Sequence, residues 1–203
     1  MGLLPLQSAA KSAIIRKSMG KTFKATPPLT AAEVSEYRAG DVVMLTGTIY
    51  TARDAAHKLI VKMIEDGAKL PFELEGSVIY YVGPTPARPG RVIGSAGPTT
   101  SYRMDPYTPL LTSTGSRMTI GKGSRGDEVR AALKEHRAVY CAAIGGAAAL
   151  ISQQITAAEV IAFEELGAEA VRRLTVEEFP VVVVNDVEGN DLFEQGMNEY
   201  RRL

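Results

Sequence analysis

The sequence predicts a mixed α/β fold built in layers, and three observations carry that prediction. Apolar, β-branched runs at residues 41–50, 77–82, 118–120 and 179–184 read as strands, and helical patterns at 54–67 and 128–136 alternate with them. Extended stretches between Gly67 and Ile93 follow one another with no helix between them, so the sheet is not a purely parallel, doubly wound one. The composition, 45% hydrophobic and 23% charged over 203 residues, is that of a globular chain able to bury a core without disulfides.

Charge and cysteine content narrow the function classes. The formal net charge is zero, so no overall field draws the molecule to nucleic acid or a lipid surface, and any anion site depends on locally placed cations. No apolar stretch reaches the ~20 residues that span a bilayer. Cys141 is the only cysteine, which excludes an intramolecular disulfide and a thiolate-ligated cluster built from this chain alone. It lies in the apolar run 138–144 and reads as a small buried hydrophobe.

In chain order, residues 1–27 hold Lys11, Arg16, Lys17, Lys21 and Lys24 with no acidic residue before Glu33, which marks a basic N-terminal arm ahead of a domain at 28–203. Thr30-Ala31-Ala32-Glu33 is a capping box for a helix running to Tyr37 or Arg38 and stopped by Gly40. Residues 41–50 are apolar on both faces, as in a central strand. Thr51 and Asp54 have the spacing of a second capping box, for a helix that carries Leu59, Ile60, Met63 and Ile64 and ends at Gly67. Gly83-Pro84 breaks the strand at 77–82, and Arg91-Val92-Ile93 extends into a Gly/Thr-rich loop. Asp105-Pro106 has the form of a cap and helix start. The helix at 128–136 turns Val129, Ala132 and Leu133 inward. Gly145-Gly146 reads as a strand-to-helix junction, Thr156 to Glu159 has capping-box form, 168–174 reads as helical, Pro180 marks the entry to the strand at 179–184, and Leu192-Phe193 extends briefly.

Three strand-to-loop junctions each offer one cation: Arg53, Arg103 and Lys122. Arg53 falls where free helix amides already favour an anion, although a solvated side chain or a pair with Asp54 accounts for it equally well. Lys122 lies between Gly121 and Gly123, whose backbone can approach a ligand closely; a surface lysine in a flexible turn is the other reading. Thr99, Thr100 and Ser101 add short hydroxyl donors beside Arg103.

These motifs resemble a known family. Gly47-Thr48-Ile49-Tyr50-Thr51-Ala52-Arg53-Asp54-Ala55-Ala56-His57, then Gly83-Pro84, then Gly97-Pro98-Thr99-Thr100-Ser101-Tyr102-Arg103-Met104-Asp105, then Gly121-Lys122-Gly123 are similar, in that order, to the beta subunit or C-terminal domain of the iron–sulfur class I fumarate hydratases and the L-tartrate dehydratases. The resemblance covers roughly residues 28–195. It implies a three-layer swivelling β/β/α domain with a mixed sheet, and a cytoplasmic hydro-lyase subunit that hydrates fumarate reversibly to L-malate and is inactive alone. It also implies a 4Fe–4S cluster carried by a partner alpha subunit, with no metal held by this chain, in a heteromer built on a dimer.

On that resemblance Arg53, Arg103 and Lys122 bind substrate carboxylates. Thr99 is a candidate base for the carbon-bound proton or only a hydrogen-bond partner of substrate. Thr100 and Ser101 add further contacts, and Asp54 and His57 orient Arg53. L-tartrate dehydration is the nearest alternative activity, and a non-catalytic dicarboxylate-binding module is the alternative from another class.

Overall fold

The computed structural model describes residues 20–143 and 151–201. The strands are β1 (Thr22–Ala25), β2 (Val42–Thr51), β3 (Val78–Tyr80), β4 (Met118–Gly121), β5 (Val139–Ala142), β6 (Ile155–Ala162) and β7 (Val171–Asn185). The helices are α1 (Ala31–Val34), α2 (Asp54–Glu65), α3 (Thr108–Ser113), α4 (Asp127–Glu135) and α5 (Leu192–Tyr200), with short 3-10 turns at Ser101–Met104, Ser152–Gln154 and Glu164–Glu169. The protein is therefore mixed α/β, with all seven strands in one mixed sheet.

The pairing closes on itself. β2, β3, β4 and β5 run parallel in that order, β5 pairs antiparallel with the C-terminal part of β7, and β7 pairs antiparallel with β2 from Val42 opposite Val182 to Thr51 opposite Arg172. The circuit β2–β3–β4–β5–β7 thus returns to β2, which leaves β1 and β6 as the sheet's single-partnered edge strands. β1 extends it beside Val42 to Leu45, and β6 beside the N-terminal part of β7. Because four neighbouring strands are parallel, their C-terminal ends share one rim.

Alternation along the strands sorts side chains into two apolar layers. Val78, Tyr80, Met118, Ile120, Val139, Cys141, Leu174, Val176, Val181 and Val183 pack within one cluster. Ile79, Tyr81 and Val171 face the other way, against Ala56 and Ile60 of α2 and Leu111 of α3. Tyr140 and Val184 meet Val129 and Leu133 of α4. Each buried side chain of this size contributes roughly 1.5–3 kcal/mol. That outweighs a single helix cap at about 1 kcal/mol, so sheet closure rather than capping decides the fold.

Several expected elements differ. Thr22–Ala25 pairs with β2, so the C-terminal part of the expected basic arm belongs to the sheet; residues 1–19 lie outside the described residues, as does the Gly145-Gly146 junction. The Thr30/Glu33 capping box forms, but its helix spans only Ala31–Val34. The Thr51/Asp54 box does not form: the Thr51 hydroxyl donates to the Ala170 carbonyl at 3.3 Å and accepts from the Arg172 amide at 3.0 Å, and Arg53 is the N-cap. The expected helix over 168–174 does not form: Ala168 and Glu169 end a 3-10 turn, β7 begins at Val171, and Pro180 lies inside that strand opposite Met44. The stretch from Thr156 to Glu159 lies in β6 and pairs with β7. Leu192 and Phe193 open α5, capped by Asp191, whose carboxylate accepts from the Phe193 amide at 2.8 Å and the Glu194 amide at 3.2 Å.

His57, in the first turn of α2, is fully buried against Tyr81 and Tyr107, at ring-centroid distances of 5.3 and 5.9 Å. Its Nδ1–H donates to the Arg53 carbonyl at 2.8 Å, which leaves Nε2 buried without a partner among the described residues. Burial disfavours the imidazolium and lowers the pKa from 6.5 to about 4, against the raising effect of the Arg53 carbonyl. Between those values the unfolded chain binds a proton that the folded chain refuses, so stability falls as pH drops through this window and is unaffected above it. This group alone is expected to remove roughly 3 kcal/mol between pH 6.5 and 4. An NMR titration of the His57 ring checks it: a midpoint near the ordinary ~6.5 overturns the assignment.

Candidate functional site

The rim formed by the ends of β2, β3 and β4 gathers the cations. Arg53 follows the last residues of β2 in an extended conformation (φ −116, ψ −172) and caps α2 with no side-chain bond of its own. Glu169, far along the chain, does that work: its Oε2 accepts from the Ala55 amide at 3.1 Å while Oε1 lies 3.2 Å from Arg53 Nη2. The Arg53 side chain passes over Gly83 just beyond β3, where a Cβ would lie 2.6 Å from Nη1. Only glycine leaves it that path.

Arg103 approaches the same point from the 3-10 turn Ser101–Met104, and its Nη2 donates to Asp54 Oδ2 at 2.6 Å. Asp54 Oδ1 lies 3.9 Å from Arg53 Nε, so one carboxylate stands between the two guanidinium groups. Neither that oxygen nor Arg53 Nε has a hydrogen-bond partner among the described residues. Asp54 and Glu169 offset the two arginines in charge; Arg53 Nε is buried, while the Arg103 side chain is 41% exposed and among the described residues bonds only Asp54, through Nη2. A planar guanidinium edge of this kind suits a carboxylate ligand.

Lys122 joins the group through its backbone. Its amide donates to the Thr99 carbonyl at 3.2 Å, its carbonyl accepts from the Ser101 amide at 2.9 Å, and the Thr99 amide donates to the Tyr81 carbonyl at 2.7 Å. Gly121 lies directly beneath Ser101, whose Oγ would collide with any Cβ there. The Lys122 side chain is exposed, and the half-buried Thr99 and Thr100 hydroxyls have no hydrogen-bond partner among the described residues. Ser101 is buried, with Oγ donating to Tyr140 Oη at 2.9 Å. His57 reaches Arg53 only through the main-chain carbonyl.

Of the residues expected at the site, Arg53, Asp54 and Arg103 meet at one carboxylate, and Thr99, Thr100 and Ser101 meet Lys122 along a short backbone pairing. Sequence reasoning missed Glu169 and Arg125, and took Asp105 for a helix cap. Asp105 instead pairs with Arg125 Nε at 2.7 Å and accepts from the Gly126 amide at 2.8 Å. Clefts of about 600, 480 and 330 Å3 open elsewhere on the described surface, and none takes Arg53, Thr99, Arg103 or Lys122 into its walls.

Known proteins resemble this chain closely enough to place it. A family model described as the fumarase C-terminus matches residues 7–196. The chain is 43% identical over 165 residues to fumarate hydratase 2 of Leishmania major, covering 80% of this chain and 29% of that protein. It is 41% identical over 170 residues to the anaerobic class I fumarate hydratase of Escherichia coli K12, covering 83% and 31%. With a candidate L(+)-tartrate dehydratase subunit beta of Methanocaldococcus jannaschii the identity is 39% over 173 residues, covering 82% of this chain and 89% of that one. The chain thus spans under a third of these fumarate hydratases and most of the tartrate dehydratase subunit. On this match, the chain belongs to the fumarase C-terminus family.

Proposed function

We propose that this chain is the beta subunit of a two-subunit class I fumarate hydratase, supplying the carboxylate-binding cations of a site completed by an alpha subunit. The observation that carries the reading is the single carboxylate of Asp54 standing between Arg53 and Arg103 at the strand rim. The closed strand circuit, with helices packed outside it, is read as the three-layer swivelling β/β/α domain.

Dehydration of a hydroxy-dicarboxylate removes a proton from a carbon beside a carboxylate, and that carboxylate must then accept further negative charge. Fixed cations stabilise the resulting dianion most where water is excluded. Arg53 and Arg103 bind and orient one carboxylate in this reading, with Lys122 as the third cation. The Thr99 hydroxyl, without a hydrogen-bond partner among the described residues, is the candidate to take the carbon-bound proton. It needs those cations near it, because an alkoxide is otherwise too high in energy at neutral pH. Asp54 and Glu169 hold the two arginines at their angles.

The residues of this chain do not fit an iron–sulfur cluster. Cys141, the sole cysteine, is buried in β5, with burial pushing its thiol pKa up, and no three His, Cys, Asp or Glu side chains converge as metal ligands among the described residues. The reading therefore assigns the 4Fe–4S cluster to the alpha subunit. L-tartrate dehydration is the second reading, favoured by the match to 89% of the tartrate dehydratase subunit's length.

The deciding experiment is co-purification with the cluster-bearing partner, followed by assays with fumarate and with L-tartrate. Fumarate hydration by the pair and none by the chain alone is expected. Dicarboxylate binding without turnover of either substrate would instead leave a binding module. In the active pair, Arg103→Lys should lower kcat/KM on the order of 30-fold, a loss of about 2 kcal/mol, and near-normal kinetics would remove Arg103 from the site. For Thr99→Ala a fall in kcat is expected; a raised KM with kcat unchanged rejects Thr99 as the base. Gly83→Ala should push the Arg53 tip aside and lower kcat/KM roughly tenfold while the fold loses no more than about 1 kcal/mol. Unaltered kinetics would show that the path of Arg53 is immaterial.

A further inference from the structure

Behind the exposed cations lies a fully buried one. The Arg125 side chain has no exposed surface, a position that a charge takes only with several fixed partners. Nε donates to Asp105 Oδ1 at 2.7 Å, Nη2 to Thr108 Oγ1 at 2.6 Å, and Nη1 to Thr119 Oγ1 at 3.3 Å and Tyr81 Oη at 3.4 Å. The guanidinium carbon stands 4.9 Å from the centre of the Tyr140 ring and 5.4 Å from that of Tyr81. A packed apolar residue would stabilise such a position as well or better. What the guanidinium adds is direction, because its donors are rigidly splayed.

Those directions bracket the candidate site. Asp105 lies just beyond Arg103, and its second oxygen holds the Gly126 amide. Tyr140, under the guanidinium, uses its hydroxyl twice, accepting from Ser101 Oγ at 2.9 Å and donating to the Gly123 carbonyl at 2.7 Å. Ser101 and Asp105 are thereby anchored on either side of Arg103. Gly123 and Arg125 anchor the segment that follows Lys122. Both loops, already joined through the Ser101 amide and the Lys122 carbonyl, rest on one buried unit.

We propose that Arg125 and Tyr140 form a positioning unit that sets the separation of Arg103 from Lys122. The ligand those cations hold rests on the function proposed above; the positioning itself does not. Tyr140→Phe tests the unit gently, because it keeps the ring and removes only the two hydroxyl bonds. Arg125→Lys keeps the charge and loses the fork, and Tyr140→Phe serves alone if that variant fails to fold.

On the full chain without a partner, both variants are expected to speed amide hydrogen exchange at Ser101 and Lys122 roughly tenfold or more, with amides of the β2–β7 pair within about twofold of wild type. Uniform acceleration, or none at Ser101 and Lys122, overturns the proposal. In the pair with the alpha subunit, Tyr140→Phe should lower kcat/KM about tenfold, mainly through kcat, and add little further in an Arg103→Lys background. Losses that multiply in the double variant overturn it, since a merely structural role would act independently of Arg103. A wild-type pair inactive on both substrates sinks the functional reading, and the exchange measurement then decides the positioning by itself.

Discussion

Everything at the candidate site depends on β7 being bonded at both edges. Its antiparallel contact with β2 on one side and β5 on the other closes the strand circuit. Closure holds the carboxyl ends of β2, β3 and β4 at one rim, within a turn or two of chain from Arg53, Gly83 and Lys122. An open sheet of the same strands would twist these ends apart by roughly 20–25° per strand. Closure costs few special residues beyond two irregularities in pairing: at the β2–β7 shift Gly47 takes φ 128 and Glu178 on the facing strand takes φ 47, and a second shift falls between Tyr140 and Cys141 of β5.

The charges at the rim are arranged in pairs of opposite sign, with donors left over. Arg53 and Arg103 share Asp54, and Arg53 also meets Glu169, so the arginines are held without long flexible excursions. These side chains are partly exposed, and surface ion pairs add little to stability, a median of about 0–1 kcal/mol. Their use lies in geometry: each carboxylate fixes the angle at which a guanidinium edge meets what lies above it. Arg125 and Asp105 repeat the device one layer down, where the missing water makes alignment stricter.

What was legible in the sequence follows the range of the interactions involved. Residues 42–51, 118–121 and 127–135 were readable because their patterns are local: apolar runs for the strands, and Val129, Ala132 and Leu133 at helical spacing. The start of β7 was misread because Val171 and Leu174, three apart, mimic one face of a helix. They in fact lie on opposite faces of a strand, and both are buried because both faces are covered. At the site, Arg53, Arg103 and Lys122 stood out by residue type beside glycines. Arg125 carries the same kind of signal in Gly121-Lys122-Gly123-Ser124-Arg125-Gly126, but only its tertiary partners show that it turns inward while Lys122 turns outward. Glu169 had no local signal at all, since its contacts with Arg53 and the Ala55 amide cross more than half the chain.

The openness of the rim is itself a physical reason to look for a covering surface. Two unit charges 4 Å apart interact with about 1 kcal/mol in bulk water and about 4 kcal/mol at an effective dielectric of ~20. Arg103 is 41% exposed and Lys122 is exposed, so in the chain alone these cations act close to the watery limit. Stabilising a dianion enough to make a carbon acid yield its proton calls for the drier limit. On the function proposed here, the surface that brings the metal chemistry also excludes the water. Binding of the two chains would then do more than bring two half-sites into reach, because it changes what each cation on this half is worth.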